Sequence, residues 1–454
     1  MAKSKITVSL STVVFDQFEM MEQYKPDLPD CPAYCGENFD LLDGNGKLII
    51  ERYESVRNGR CCLEEQARSL REISQFLAYK IVSVKRFPVN MESMFDFLCD
   101  SIGSGDEMVI SAGLHCISNF FFFFHEKEGI DELICQDFIQ KVFSFVFWDS
   151  SEIISSTFHV LANIMEICYR KKLKVEKLWN NDRFSAIVSS FEESWSPIVL
   201  FFGKFASYFH YYDCFVNMIS FCGEIFSQLD CKRLNMDSIV LITRIIELFC
   251  IITLNEKDLY FSIIDTNVLY VAISSIEPHH NDLCSSVLVF LINAFDNIHH
   301  TYVKVLYEEI DLDQLFSVYK NSDQYIVELC IHVFTRLILL FGCSSCFPVL
   351  RLVYDSSICA FFGSQFSRKK SLAYFLFAYF ENLQYDEQEE LINDQFVLML
   401  KDSIECQFSR VLQTIYIVFL HNISNESKNE FSFMINDCID KEDPMYKKYS
   451  PVLL

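Results

Sequence analysis

Residues 114–122 read LHCISNFFF, and the same pattern returns along the chain as LREISQFLA at 70–78, FHVLANIME at 158–166, FGKFASYFH at 202–210 and IIELFCIIT at 245–253. It continues as LVFLINAFD at 288–296, IHVFTRLIL at 331–339, AYFLFAYFE at 373–381 and IYIVFLHNI from Ile415. With the place of Asn119 as a register mark, the marks fall at Gln75, Asn119, Asn163, Ser207, Cys250, Asn293, Arg336, Ala378 and Asn422. Their spacings are 44, 44, 44, 43, 43, 43, 42 and 44 residues, with nothing inserted. A fixed period of this size is the signature of a repeat architecture.

The residues around the mark give the repeat a physical meaning. Five before it, two before it and one after it, all 27 positions are apolar in a chain that is 51% apolar. Steps of three place those side chains along one stripe of a helix. Ser104 with Glu107, Asp149 with Glu152, and Asn321 with Gln324 have capping-box spacing and predict three helix starts. A second, shorter apolar helix per unit lies between, as at 91–102, 137–147, 218–229 and 391–404. A helical pair cannot bury its apolar faces alone, but stacked pairs share a continuous core. The expected fold is all-α, a right-handed α-solenoid of the armadillo/HEAT kind with about nine repeats of 42–44 residues over 61–435. An N-terminal arm at 1–60 precedes it and a loose tail at 436–454 follows.

Composition agrees with this reading. Glycine, at 12 of 454 residues, is under half its usual share of roughly 7%, while Phe reaches 45. Phosphate-cradling α/β folds and small β-sandwiches use glycine in their turns and are disfavoured. Lys+Arg 38 against Asp+Glu 62 leaves a net charge of −24, which repels phosphate backbones, so no nucleic-acid partner is expected. The 19 cysteines are scattered, and Cys116, Cys135, Cys168, Cys222, Cys250 and Cys330 sit in apolar helical stretches as small hydrophobes. The first residues lack a signal-peptide cleavage site, and the longest uncharged run, Met108–His125, carries too many polar groups for a membrane span. A cytoplasmic monomer in a reducing compartment, with no membrane partner, is expected.

The helix ISAGLHCISNFF resembles the third helix of armadillo repeats, where a small residue, a Leu and an Asn recur at these offsets. The array is similar to importin alpha in particular. CLEEQARSLREISQFLA resembles that family's first-repeat lead-in and DEMVISAGLHCISNFF its second repeat, and the likeness covers about residues 61–435. In that family the third helices line a concave groove. Its Asn side chains fix the backbone of a nuclear-localisation peptide, and Trp rings four residues earlier take the lysine and arginine stems. The resemblance therefore implies a peptide groove with Asn119, Asn163, Asn293 and Asn422 in the Asn places. No Trp carries over. His115, His159 and His332 stand in its places and offer flat rings that stack on a cation more weakly. Residues 1–60 hold seven Lys/Arg against ten Asp/Glu, so importin beta, which the family engages through a basic arm, is not an expected partner.

Other motifs carry little. Asp43-Gly-Asn-Gly46 lacks two obligatory carboxylates of a calcium loop and reads as a hairpin turn between FDLL and KLII. Cys343-Ser-Ser-Cys346 reads as a turn, and Cys31, Cys35, Cys61 and Cys62 match no zinc spacing. His279–His280 and His299–His300 read as loop residues. The sequence has no phosphate loop, nucleophile elbow or zinc-protease motif, so no catalytic residue, metal or cofactor is expected. The expected function is non-enzymatic. The chain would bind an extended, basic peptide or protein partner, as a diverged import adaptor that shuttles to the nucleus. The alternative is a structural scaffold or regulatory subunit that holds a folded partner and reads no localisation signal.

Overall fold

Seven of the nine recurring segments lie within helices, and the other two, at 202–210 and from Ile415, begin on one. The computed structural model describes residues 47–453 apart from 60, 80–86, 176–178, 180, 230–233, 298–299, 344–346, 365, 406–410, 422 and 443. Among the described residues every regular element is helical, and the chain forms two compact units divided between Leu269 and Tyr270.

The first unit contains α1 (Lys47–Arg57), α2 (Leu63–Ala78), α3 (Met91–Ser101), α4 (Glu107–Phe124), α5 (Gln136–Ser144) and α6 (Ser151–Arg170). It continues with α7 (Asn181–Ser190), α8 (Trp195–Tyr208), α9 (Tyr212–Gln228), α10 (Met236–Asn255) and α11 (Tyr260–Ile264). The even-numbered helices α2 to α10 carry the register marks, and each packs along the next, while α3, α5 and α9 lie against them. The apolar stripe explains that packing. Leu70, Leu114, Phe158, Phe202 and Ile245 have no exposed surface (0%), and burying each such side chain contributes about 1.5–3 kcal/mol.

Much of the phenylalanine is structural. Phe95 meets Phe120, Phe121 and Phe138 with ring centroids 5.0–5.9 Å apart, and Phe184 joins Trp179, Phe202 and Phe221 deeper in the unit. Most of these pairs are tilted or edge-on, the arrangement that the ring quadrupole favours. Gly113 has a steric role, because a Cβ there would lie 2.9 Å from Ile102 Cγ2. Glycine lets α4 approach the end of α3. Among the described residues two helices, Glu107–Phe124 and Gln324–Phe341, are long and apolar enough to cross a membrane, but 78% and 61% of them are buried inside the protein.

In the second unit α12 (Val268–Ser274) spans the division, followed by α13 (Asn281–Asn297), α14 (His300–Glu308), α15 (Leu312–Asn321), α16 (Gln324–Phe341) and α17 (Phe347–Phe361). Then come α18 (Phe366–Glu381), α19 (Tyr385–Leu391), α20 (Asp394–Glu405), α21 (Val411–Leu420), α22 (Asn425–Cys438) and α23 (Pro444–Leu453). Here α13, α16, α18 and α21 carry the recurring segments and pack in that order, with α15, α17 and α20 beside them.

Several local expectations change. KLII is not a hairpin strand but the start of α1, because Ile49 and Tyr53, four residues apart, make a helical stripe buried on α2. The tail is not loose. Tyr446 and Tyr449 of α23 are buried, and the Tyr449 ring lies 5.1 Å from that of Tyr416. The caps shift: Asp106 and Asp323, rather than Ser104 and Asn321, accept the N–H groups of Val109 (3.1 Å) and Ile326 (3.0 Å). Ser150 precedes α6, and Glu152 accepts instead from Ser111 Oγ at 2.7 Å. Cys135 is exposed and accepts from Phe138 N–H at a helix start, at 3.4 Å. The ninth unit is out of register, since Ile415 and Val418 are fully buried while Leu420 is 49% exposed. Its mark therefore belongs at Leu420, two residues before Asn422. Asn422 itself, Cys31, Cys35, His299 and most of the Cys343–Cys346 turn lie outside the described residues.

Candidate protein-binding face

Two asparagines at the register marks, Asn119 and Asn163, turn toward the neighbouring helix. Asn119 has no exposed surface (0%), and its Nδ2 donates to Ser74 O at 3.2 Å and Ser74 Oγ at 2.8 Å. One repeat later, half-buried Asn163 donates to Ser118 O at 3.1 Å and Ser118 Oγ at 2.9 Å. Both bonds span 45 residues and tie a long helix to the one before it. Asn293 is buried too, at 3% exposure. At a later mark Arg336, also 3% exposed, makes a two-pronged pair with Asp296, Nε to Oδ1 at 2.9 Å and Nη2 to Oδ2 at 2.6 Å. The mark thus joins repeats, where an open row of amides was expected. The serine before the mark at Ser74 and Ser118 is the sequence signal for this joint.

The histidine row is enclosed as well. Half-buried His115 on α4 and His159 on α6 are held neutral. Burial lowers their pKa to about 4 and about 3, with Glu152 opposing and Arg71 adding to the shift at His115. Burial also lowers His332 to about 3, and its Nε2 lies 3.2 Å from Ser371 Oγ. Ser371 donates its one hydroxyl proton to Glu328 Oε1 at 2.9 Å, so the neutral imidazole donates to Ser371. His332 thereby links α16 to α18. Arg71 occupies the same place one repeat before His115 and is exposed; sequence reading passed over it.

What lies open on the long helices of the first unit is a mixed surface. Arg71 is 3.8 Å from Glu152, Glu166 pairs with Arg170, and Arg244 donates to Ser196 Oγ at 2.6 Å. Lys204 on α8 and Glu247 on α10 are half-buried. Toward the C-terminal ends of α6 and α8, Tyr169 is 53% exposed and stacks on Tyr208 at 5.4 Å, with Phe209 edge-on at 6.0 Å. Tyr211 and Tyr212 are exposed just beyond. At the other end of the same helices a cavity of about 630 Å³ is lined by Glu193, Trp195, Ser196, Asp237 and Ser238 among others.

No family model matches the sequence, and no curated protein matches it. Among solved structures the chain is similar to a crystal structure of an engineered protein, with a TM-score of 0.59 and 12% identity over 90% of this chain and 98% of that one. A designed armadillo repeat protein aligns with a TM-score of 0.29 and 11% identity over 65% of this chain and 99% of that one. The first likeness is one of fold, and it agrees with the helix-on-helix packing above. The chain is an all-α solenoid. Solenoid units of this kind present long helices side by side, so neighbouring repeats place their exposed side chains on a common face.

Proposed function

We propose that the protein is a non-enzymatic scaffold that binds a folded protein partner through the long-helix face of its first unit. The observation that carries this reading is the stack of exposed Tyr169 on half-buried Tyr208 next to the Glu166–Arg170 pair, on a set of helices that also carries Arg71, Glu152 and Arg244. Tyrosine and arginine are enriched at protein–protein hot spots, tyrosine because it buries a large, rigid area at little conformational cost and arginine because its planar fork makes several directed hydrogen bonds. An import adaptor asks for something different: free asparagine amides and a surface that attracts lysine and arginine. Here Asn119 and Asn163 donate to Ser74 and Ser118, and four basic side chains share the face.

The test pairs two measurements. Crosslinking and affinity capture should recover a partner with the wild type and lose it with Tyr169→Ala/Arg170→Glu, a variant of exposed residues that melts like the wild type. A labelled bipartite Lys/Arg peptide should show no anisotropy change at about 50 mM salt, where weak charge attraction is least screened. Micromolar binding of that peptide, removed by Asn119→Ala/Asn163→Ala, would restore the import reading and sink this one.

A further inference from the structure

The turn between α12 and α13 in the second unit brings three metal-ligating side chains to one point. Glu277 Oε2 lies 2.9 Å from His279 Nε2 and 3.9 Å from His280 Nε2. All three ligand atoms fall within 4.8 Å of one another, and the two imidazole centroids are 4.2 Å apart. The backbone holds this arrangement. His280 N–H closes the turn onto Glu277 O at 2.9 Å, and Pro278 restricts φ between them. Cys284 Sγ also donates to Glu277 O, at 3.2 Å. On the other side Gln314 Nε2 grips Ile276 O at 2.7 Å and Ser274 O at 3.1 Å. Only the ring of His280 is largely covered, with its side chain 11% exposed, while those of His279 and Glu277 stand 69% and 55% exposed.

We propose that Glu277, His279 and His280 form a binding site for a zinc-class divalent cation, held through Glu277 Oε2 and both Nε2 atoms with a further position open to solvent. Tetrahedral zinc bonds of about 2.0–2.1 Å set neighbouring donors about 3.3 Å apart. The observed 2.9 and 3.9 Å bracket that value, so small rotations of the exposed side chains bring the donors into place. Two imidazoles and one carboxylate select zinc, nickel or copper over calcium and magnesium, which take oxygen donors. The set also carries one negative charge to offset the cation. A bound ion clamps the turn that leads into α13, the first long helix of this unit. This inference is independent of the protein-binding face.

The test uses untagged full-length chain, titrated with zinc against a chromophoric competitor and, separately, loaded with cobalt. We expect about one equivalent bound with micromolar affinity, weakened at least about tenfold by His279→Ala/His280→Ala and less by Glu277→Gln. His279→Ala alone, at an exposed ring, guards against misfolding of the double variant and should also weaken binding. The cobalt spectrum should show ligand-field bands without a thiolate charge-transfer band, because the chain's many cysteines are the competing donors. Unchanged affinity in all three variants, a thiolate band, or no zinc bound at micromolar levels would overturn the site.

Discussion

His115, His159 and His332 sit four residues before their register marks, and burial lowers their pKa values to about 4, 3 and 3. In the unfolded chain an imidazole titrates near 6.5, so between that pH and the folded values the unfolded state binds more protons. Stability from these groups is full above about pH 6.5 and drains as pH falls toward the folded values. Urea unfolding at pH 7 and pH 5 should show a loss of up to about 2 kcal/mol per histidine, and His159→Gln should flatten the slope. A stability unchanged between the two pH values would mean the rings are solvated. The period of this row is legible in the sequence. Its enclosure is not, because it depends on how closely adjacent long helices approach. Asn119 teaches the same lesson. It lies on the side of α4 away from the apolar stripe, which reads as open, yet α2 reaches over to cover it.

At the scale of helices, the Arg336–Asp296 pair between α16 and α13 makes an asymmetric prediction. Asp296→Ala leaves a guanidinium that is 3% exposed without its carboxylate, and the expected loss in urea unfolding is about 3–5 kcal/mol. Arg336→Met, which removes the buried charge and keeps much of the volume, should be milder. Equal effects would show that water reaches the guanidinium. The long helices were readable because their stripes recur. Their ends were less so: Ser104 and Asp106 are both good caps two residues apart, and only the turn geometry chooses Asp106. The KLII run is short, and three apolar residues cannot separate strand from helix by period alone. The ninth unit misled because its stripe Ile415–Val418 sits two residues before the segment that aligns best by letters.

Over the whole chain, two compact units predict two unfolding transitions in place of one. Asn119→Ala, expected to remove about 1–3 kcal/mol, should move only the transition of the first unit. Asp296→Ala should move only that of the second. A single transition shifted by either variant would show one cooperative block. The division at Leu269 was invisible in the sequence, because the marks Cys250 and Asn293 on either side keep the ordinary spacing of 43. The joints between long helices carry a last consequence. Asn119 meets Ser74, Asn163 meets Ser118, Arg336 meets Asp296 and Ser371 meets Glu328, each across about one repeat. If the hydrophobic stripe alone held the stack, units could be deleted or exchanged like identical bricks. With a buried guanidinium keyed to one carboxylate and amides keyed to particular hydroxyls, a shuffled array would seal its apolar faces and strand its polar ones. The order of the courses is written into the mortar.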